Sequence, residues 1–131
     1  MKNSGGLRMK HSVSSKHFSN KELSCRCCGA NEMKPKFLEA LERVRVAFNH
    51  PMTVSSCFRC SQHNYEVGGV KNSSHMAGEA IDILIENGRP RHRLIKIAML
   101  DPDFGHGGIG VYPTFVHLDI RKRGHPTLFT F

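Results

Sequence analysis

The sequence predicts one α+β domain, built on a small and mostly antiparallel sheet flanked by helices. Three observations lead there. The chain has 131 residues, enough for one hydrophobic core and too few for two ordinary ones. Segments with helical spacing, over residues 35–48 and 90–100, alternate irregularly with short β-branched segments. Two strand candidates, 109–112 and 115–120, are consecutive, which suits antiparallel pairing.

Residues 1–17 show no hydrophobic periodicity and are expected to form a mobile arm, leaving 18–131 as the folded domain. An entry segment follows from Phe18 to Asn31, in which Ser19 and Glu22 fit a capping box for one short helical turn. Pro35 suits the first turn of a helix, and Phe37, Leu38, Leu41, Val44 and Phe48 recur at three- and four-residue steps along one face. Asn49-His50-Pro51 ends that helix, and residues 52–56 read as a short strand around Val54. Residues 61–67 suit a short helix closed by Gly68-Gly69. Residues 79–85 alternate Ala80, Asp82 and Leu84 with Ile81, Ile83 and Ile85, a strand with two occupied faces. A helix over 90–100, a glycine-rich loop at 105–108 and the two consecutive strands complete the reading.

The formal charge is +8, which attracts polyanions of several kinds without choosing among them. Basic residues are scattered, so a dedicated nucleic-acid tail is not indicated. No run approaches the roughly eighteen apolar residues of a membrane span. Residues 1–18 lack the apolar stretch of a secretory signal, so synthesis in the cytoplasm without an export signal is expected.

Chemistry concentrates in two segments. Asp82 lies between Ile81 and Ile83, where a carboxylate is costly to desolvate unless a cation compensates it. His75 precedes that strand in a turn, and Gly78 lets the two side chains converge. His117 and Asp119 share one face of the last strand candidate. Two imidazoles and an aspartate make a three-point zinc site set between strands, with an open corner for catalysis. The competing reading pairs Asp82 with an arginine and leaves His75 on the surface. Asp119 either orients His117 or takes up a proton, and spacing does not separate the two.

The five cysteines, an odd number, suit reduced thiols or metal ligands more than a disulfide framework. Cys25, Cys27, Cys57 and Cys60 offer a second, structural zinc site, but the irregular spacing of the first group favours unpaired thiols that pack as small hydrophobes. His11, His17, His50, His63, His92 and His125 lack partners at metal spacing and read as surface residues.

Several ordered motifs resemble one family. They are Ser55-Ser56-Cys57-Phe58-Arg59-Cys60-Ser61-Gln62-His63-Asn64, Gly68 through Asp82 with Ser74-His75-Met76-Ala77-Gly78-Glu79-Ala80-Ile81-Asp82 at its end, Gly108-Ile109-Gly110-Val111-Tyr112, and Phe115-Val116-His117-Leu118-Asp119-Ile120-Arg121. They resemble the zinc D-alanyl-D-alanine carboxypeptidases, and most of all the short single-domain peptidoglycan peptidases of bacteria and phages, over about residues 18–121. The resemblance implies a zinc ion on His75, Asp82 and His117, and cleavage of stem or cross-link peptides beside a D-amino acid. Endopeptidase and carboxypeptidase action stay open. It also implies that Arg59 lies near the substrate, holding a carboxylate or the developing oxyanion.

The sequence departs from the family where relatives carry an acid/base residue shortly before the last histidine, because Thr114 and Phe115 stand there. Asp119 is the expected substitute, with His106 second. A lytic or remodelling enzyme acting on the cell wall as a monomer is expected, after phage-type release or as a virion component. The rival is a non-catalytic zinc-stabilised module that binds peptidoglycan or another polyanion.

Overall fold

The structure, a computed structural model, describes residues 13–130. Strands β1 (Thr53–Ser56), β2 (Ala80–Leu84), β3 (Gly108–Val111), β4 (Phe115–Asp119) and β5 (Thr127–Thr130) form one sheet in the order β1-β2-β4-β3-β5. Three of the pairings are antiparallel, and β5 runs parallel to β3 at the edge. Helices α1 (Asn20–Leu23), α2 (Pro35–Phe48), α3 (Ser61–Glu66) and α4 (Gly88–Leu100) complete the α+β domain, together with a 3-10 turn at Phe104–His106. Among the described residues no helix is long and apolar enough to cross a membrane.

Strand alternation separates the two sides of the sheet. Ile81, Ile83, Ile109, Val116 and Leu118 join Phe37, Leu41 and Val44 of α2 and Leu94 and Ala98 of α4 in one buried cluster. The opposite face carries Asp82, His117 and Gly110, which the register places side by side on adjacent strands. One face therefore holds the core and the other is free to carry polar chemistry.

The local signals mostly act as sequence chemistry dictates. Pro35 opens α2, and Asn49 closes it in the left-handed region at φ 61. Ser19 and Glu22 form the complete capping box. Helix α4 begins two residues ahead of Pro90, because a proline within the first turn removes an N–H that would have no helical partner. Strand β5 carries no sequence signal of its own. Its Thr127 to Thr130 run is half-exposed, and its pairing with β3 is a long-range event.

Residues 1–12 of the expected arm lie outside the described residues. From Val13 onward the chain is held: the Val13 N–H donates to Asn20 Oδ1 at 2.9 Å, and the backbone N–H of His17 and the Ser15 hydroxyl donate to Glu42 of α2 at 2.8 and 2.6 Å. The His17 ring adds a contact of 2.6 Å to the same carboxylate. Burial opposes ionisation of Glu42, but the hydrogen bonds from His17 and Ser15 outweigh it and lower its pKa. A carboxyl lowered in the folded state stabilises above its unfolded pKa, and that contribution is lost as pH falls through the folded value. Glu42→Gln should therefore lower stability at neutral pH by about 1 kcal/mol and soften the loss of stability in acid. Denaturant unfolding at neutral and acidic pH checks both effects.

Candidate metal centre

Asp82 occupies the middle of β2, where Ala80 through Ile83 are buried. Antiparallel register sets it opposite His117 of β4, so both side chains leave the same face. His117 Nδ1 lies 2.9 Å from Asp82 Oδ1, and its Nε2 lies 2.7 Å from Asp119 Oδ2. His75 comes from the loop ahead of β2, where its N–H donates to Ser73 Oγ at 3.1 Å. Gly78, at φ +72, then turns the chain into the strand. A Cβ there would stand 2.1 Å from the Glu32 carbonyl oxygen, so no larger residue fits without rearrangement. The His75 ring is buried, with Nδ1 2.6 Å from the Cys57 carbonyl oxygen and Nε2 3.2 Å from Asp82 Oδ1.

Hydrogen-bond roles decide what this cluster can bind. A carbonyl only accepts, so His75 Nδ1 carries the hydrogen and the neutral ring is left with a lone pair at Nε2. That atom is buried and makes no hydrogen bond, although Asp82 is close. In the neutral His117 ring, Asp119 takes the Nε2–H in the same way, which leaves Nδ1 as a second lone pair aimed at Asp82. One donor atom from each of the three residues lies within 4.8 Å of the others. Two nitrogen lone pairs and an anionic oxygen repel one another unless positive charge sits among them. The donor set fits zinc, which takes imidazole nitrogen and carboxylate oxygen.

Ionisation follows the same logic. Burial opposes the charge on Asp82, but the His117 and His75 imidazoles beside it outweigh burial and hold the carboxyl well below its usual range. Burial likewise disfavours the charged form of His117, and Asp119 and Asp82 reverse this so that its pKa is raised. In the absence of metal a proton on His117 is thus the alternative source of positive charge.

Asp119 accepts four hydrogen bonds: from His117 Nε2 at 2.7 Å, from the Arg121 N–H at 3.0 Å, and from Arg123 Nη1 and Nη2 at 2.9 Å each. Those four donors fill its lone-pair sites. Its side chain has 0% exposure. Gly108 makes the packing possible, since a Cβ there would fall 2.7 Å from Asp119 Oδ2. Burial resists its ionisation, but His117 and Arg123 prevail and hold the pKa far below normal. A saturated, buried carboxylate is suited to orienting His117 and poorly suited to picking up a proton.

The three donors line a cleft of about 770 Å³ whose wall also carries Arg26, Arg59, Arg121 and Arg123. Asp82 and Asp119 are its only carboxylates among the described residues. Arg59 Nη2 stands 3.7 Å from Asp82 Oδ2, and Nη1 donates to Asn64 Oδ1 at 2.8 Å. Asp82 thus does have an arginine neighbour, while His75 is buried instead of exposed. Tyr112 and Phe115 stack at 4.4 Å as a flat apolar wall of the cleft.

His106 lies elsewhere. It ends the 3-10 turn exposed to solvent, its Nδ1 2.7 Å from the Pro102 carbonyl oxygen, and it is not part of the cleft lining. His63, read from sequence as a surface residue, does line the cleft and has a buried Nδ1 without a hydrogen bond. His11 lies outside the described residues. Sequence reasoning also passed over Arg123 and Asn64, whose only signals were a four-residue step from Asp119 and a five-residue step from Arg59.

The cysteine grouping differs from expectation in one member. Cys57 is buried away from the other thiols, its Sγ 3.5 Å from both Met33 Sδ and the Ala80 carbonyl oxygen. Cys28 takes its place beside Cys25, Cys27 and Cys60. Strand alternation and the turn into α3 send Cys57 inward and Cys60 toward the entry segment.

The sequence model of the family described as Peptidase M15 matches residues 16–119, most of the chain. None of the curated proteins matches it.

In a zinc titration followed by calorimetry, His75→Ala and His117→Ala should each remove the same binding event. At free zinc of about a hundred times the dissociation constant, that event should add about 2.7 kcal/mol of stability. Asp119→Asn should weaken it by about 10–100-fold if Asp119 orients His117. Unchanged zinc affinity in that variant would argue for the proton-carrying role instead.

Proposed function

Because the chain belongs to the peptidase M15 family, whose members are zinc-dependent peptidases, we propose that it hydrolyses peptide bonds in peptidoglycan stem or cross-link peptides, with zinc held by His75, Asp82 and His117. The observation that carries this reading is the buried lone pair of His75 Nε2, aimed at a carboxylate and left without a proton donor. When bound, zinc supplies Lewis-acid polarisation of the scissile carbonyl and lowers the pKa of water.

The remaining work falls to the chain itself. The Cys57 carbonyl and the Asp119 carboxylate hold the hydrogens of the two imidazoles on their far sides, which keeps the near nitrogens free. Arg59, braced by Asn64 and by Ser56 Oγ at 3.2 Å, presents a fixed guanidinium beside Asp82. It is placed to take a substrate carboxylate or the developing oxyanion. Arg26 and Arg121 extend that positive lining, and the Tyr112–Phe115 stack offers an apolar wall for small side chains such as a D-alanine methyl. Four accepted hydrogen bonds take Asp119 out of proton transfer, and the cleft offers the His63 imidazole in its stead. The same arginines suit anionic cell-wall polymers, and the bacterial cell wall is the proposed place of action.

One observation favours the rival reading, a zinc-stabilised peptidoglycan binder: both carboxylates of the cleft are already engaged, Asp82 with the imidazoles and Asp119 with four donors. Incubation of the zinc-loaded chain with purified cell walls separates the two. Hydrolysis should release new amino groups, stop when a chelator is added, and leave shortened peptides visible by mass spectrometry of the muropeptides. Retention on the walls without release would establish the binder. Arg59→Ala should reduce kcat/KM by about 10²–10³-fold if the guanidinium serves the oxyanion.

A further inference from the structure

Outside the cleft, the chemistry the proposed hydrolysis leaves unused is gathered at Cys25, Cys27, Cys28 and Cys60. Their sulfur atoms all lie within 4.8 Å of one another. Cys25 and Cys27 stand 3.6 Å apart, Cys25 and Cys60 3.7 Å, and Cys27 and Cys60 3.4 Å. A zinc ion with four thiolates at about 2.3 Å has sulfur–sulfur edges of roughly 3.8 Å. We infer that these four cysteines form a second, closed zinc site with a structural role, separate from the His75–Asp82–His117 centre.

The local backbone is shaped for such a site. The Cys25 N–H donates to the Ala30 carbonyl at 2.7 Å and the Gly29 N–H to the Cys25 carbonyl at 2.9 Å, with Gly29 at φ +76. That tight turn folds Cys25, Cys27 and Cys28 around one point, and it is why a spacing irregular in sequence becomes compact in space. Cys60 arrives from the far side. Its N–H donates to Cys25 Sγ at 3.4 Å, and its own Sγ accepts from the His63 N–H at 3.4 Å. Backbone N–H groups aimed at sulfur stabilise thiolate ligands. Four thiolates on a divalent ion leave net negative charge, which a chain of formal charge +8 accommodates.

The site would act as a clasp. It joins the entry segment at 25–28 to residue 60, one position from Arg59 and four from the Asn64 that braces it. Metal at the cysteines therefore fixes the loop that carries the cleft's arginine, without entering the cleft.

The test uses the full chain purified under reducing, chelator-free conditions and loaded with cobalt(II) as a spectroscopic stand-in for zinc. A nitrogen and oxygen site gives no sulfur-to-metal charge transfer, so the wild-type cobalt form should show that intense near-ultraviolet band and His75→Ala should retain it. Elemental analysis should find two zinc ions per chain, one in His75→Ala and one in the Cys27→Ser/Cys60→Ser double variant. Thiol titration of the zinc form should leave the four cysteines protected until a chelator is added. Absence of the charge-transfer band in wild type, free reactivity of the four clustered thiols with zinc present, or a disulfide among these residues by mass spectrometry would overturn the inference. None of those results bears on the zinc titration of the cleft, so the two readings fail separately.

Discussion

A buried carboxylate with two lone pairs aimed at it is the constraint around which this molecule is arranged. Asp82 sits in an otherwise apolar strand, 7% exposed, with helices α2 and α4 packed on the other side of the sheet. Desolvating such a charge is costly, and the cost is met by His117 of β4 together with His75 and Arg59, which reach Asp82 from neighbouring loops. The register that pairs Asp82 with His117 is therefore as consequential as the residues themselves. A slip of one position would send both to the core side.

Around that centre the chain spends backbone and side-chain hydrogen bonds to fix tautomers. The Cys57 carbonyl does so for His75, and Asp119 does so for His117 while being held by Arg121 and Arg123. This layer comes from two stretches of chain, the loop after β1 and residues 119–123, and Gly108 lets the Asp119–Arg123 pair pack against β3. In a family of zinc-dependent peptidases, the arrangement suits the proposed metal site, since the imidazoles are oriented by the chain's own hydrogen bonds.

Arg59 links this centre to the opposite end of the chain. Its guanidinium reaches toward Asp82, while its own N–H donates to the His75 carbonyl at 3.3 Å and the next residue, Cys60, joins the cysteine group. The Phe58 N–H in turn donates to the Leu23 carbonyl at 3.0 Å. The loop after β1 is thus pinned from three directions, by the entry segment, by the His75 loop and by α3. A long cationic side chain held this way loses little freedom when it meets an anion, which is what recognition of a carboxylate or oxyanion requires.

Much was legible before any coordinates. The α2 helix, the Ser19–Glu22 capping box, the strand around Asp82 and the pairing of His117 with Asp119 on one face follow from periodicity and local chemistry, which act within a few residues. Convergence of His75, Asp82 and His117 was legible too, since the sequence placed a cation-seeking carboxylate beside a turn and a second histidine on a strand. What the tertiary structure alone decided were matters of long-range pairing: β5 against β3, Arg123 saturating Asp119, His63 facing the cleft while His106 faces solvent, and Cys28 in place of Cys57 among the clustered thiols. Sequence determines which groups need a partner, because propensity and desolvation are local properties of each residue. Which partner each one meets is set by how turns and strand register bring distant segments together.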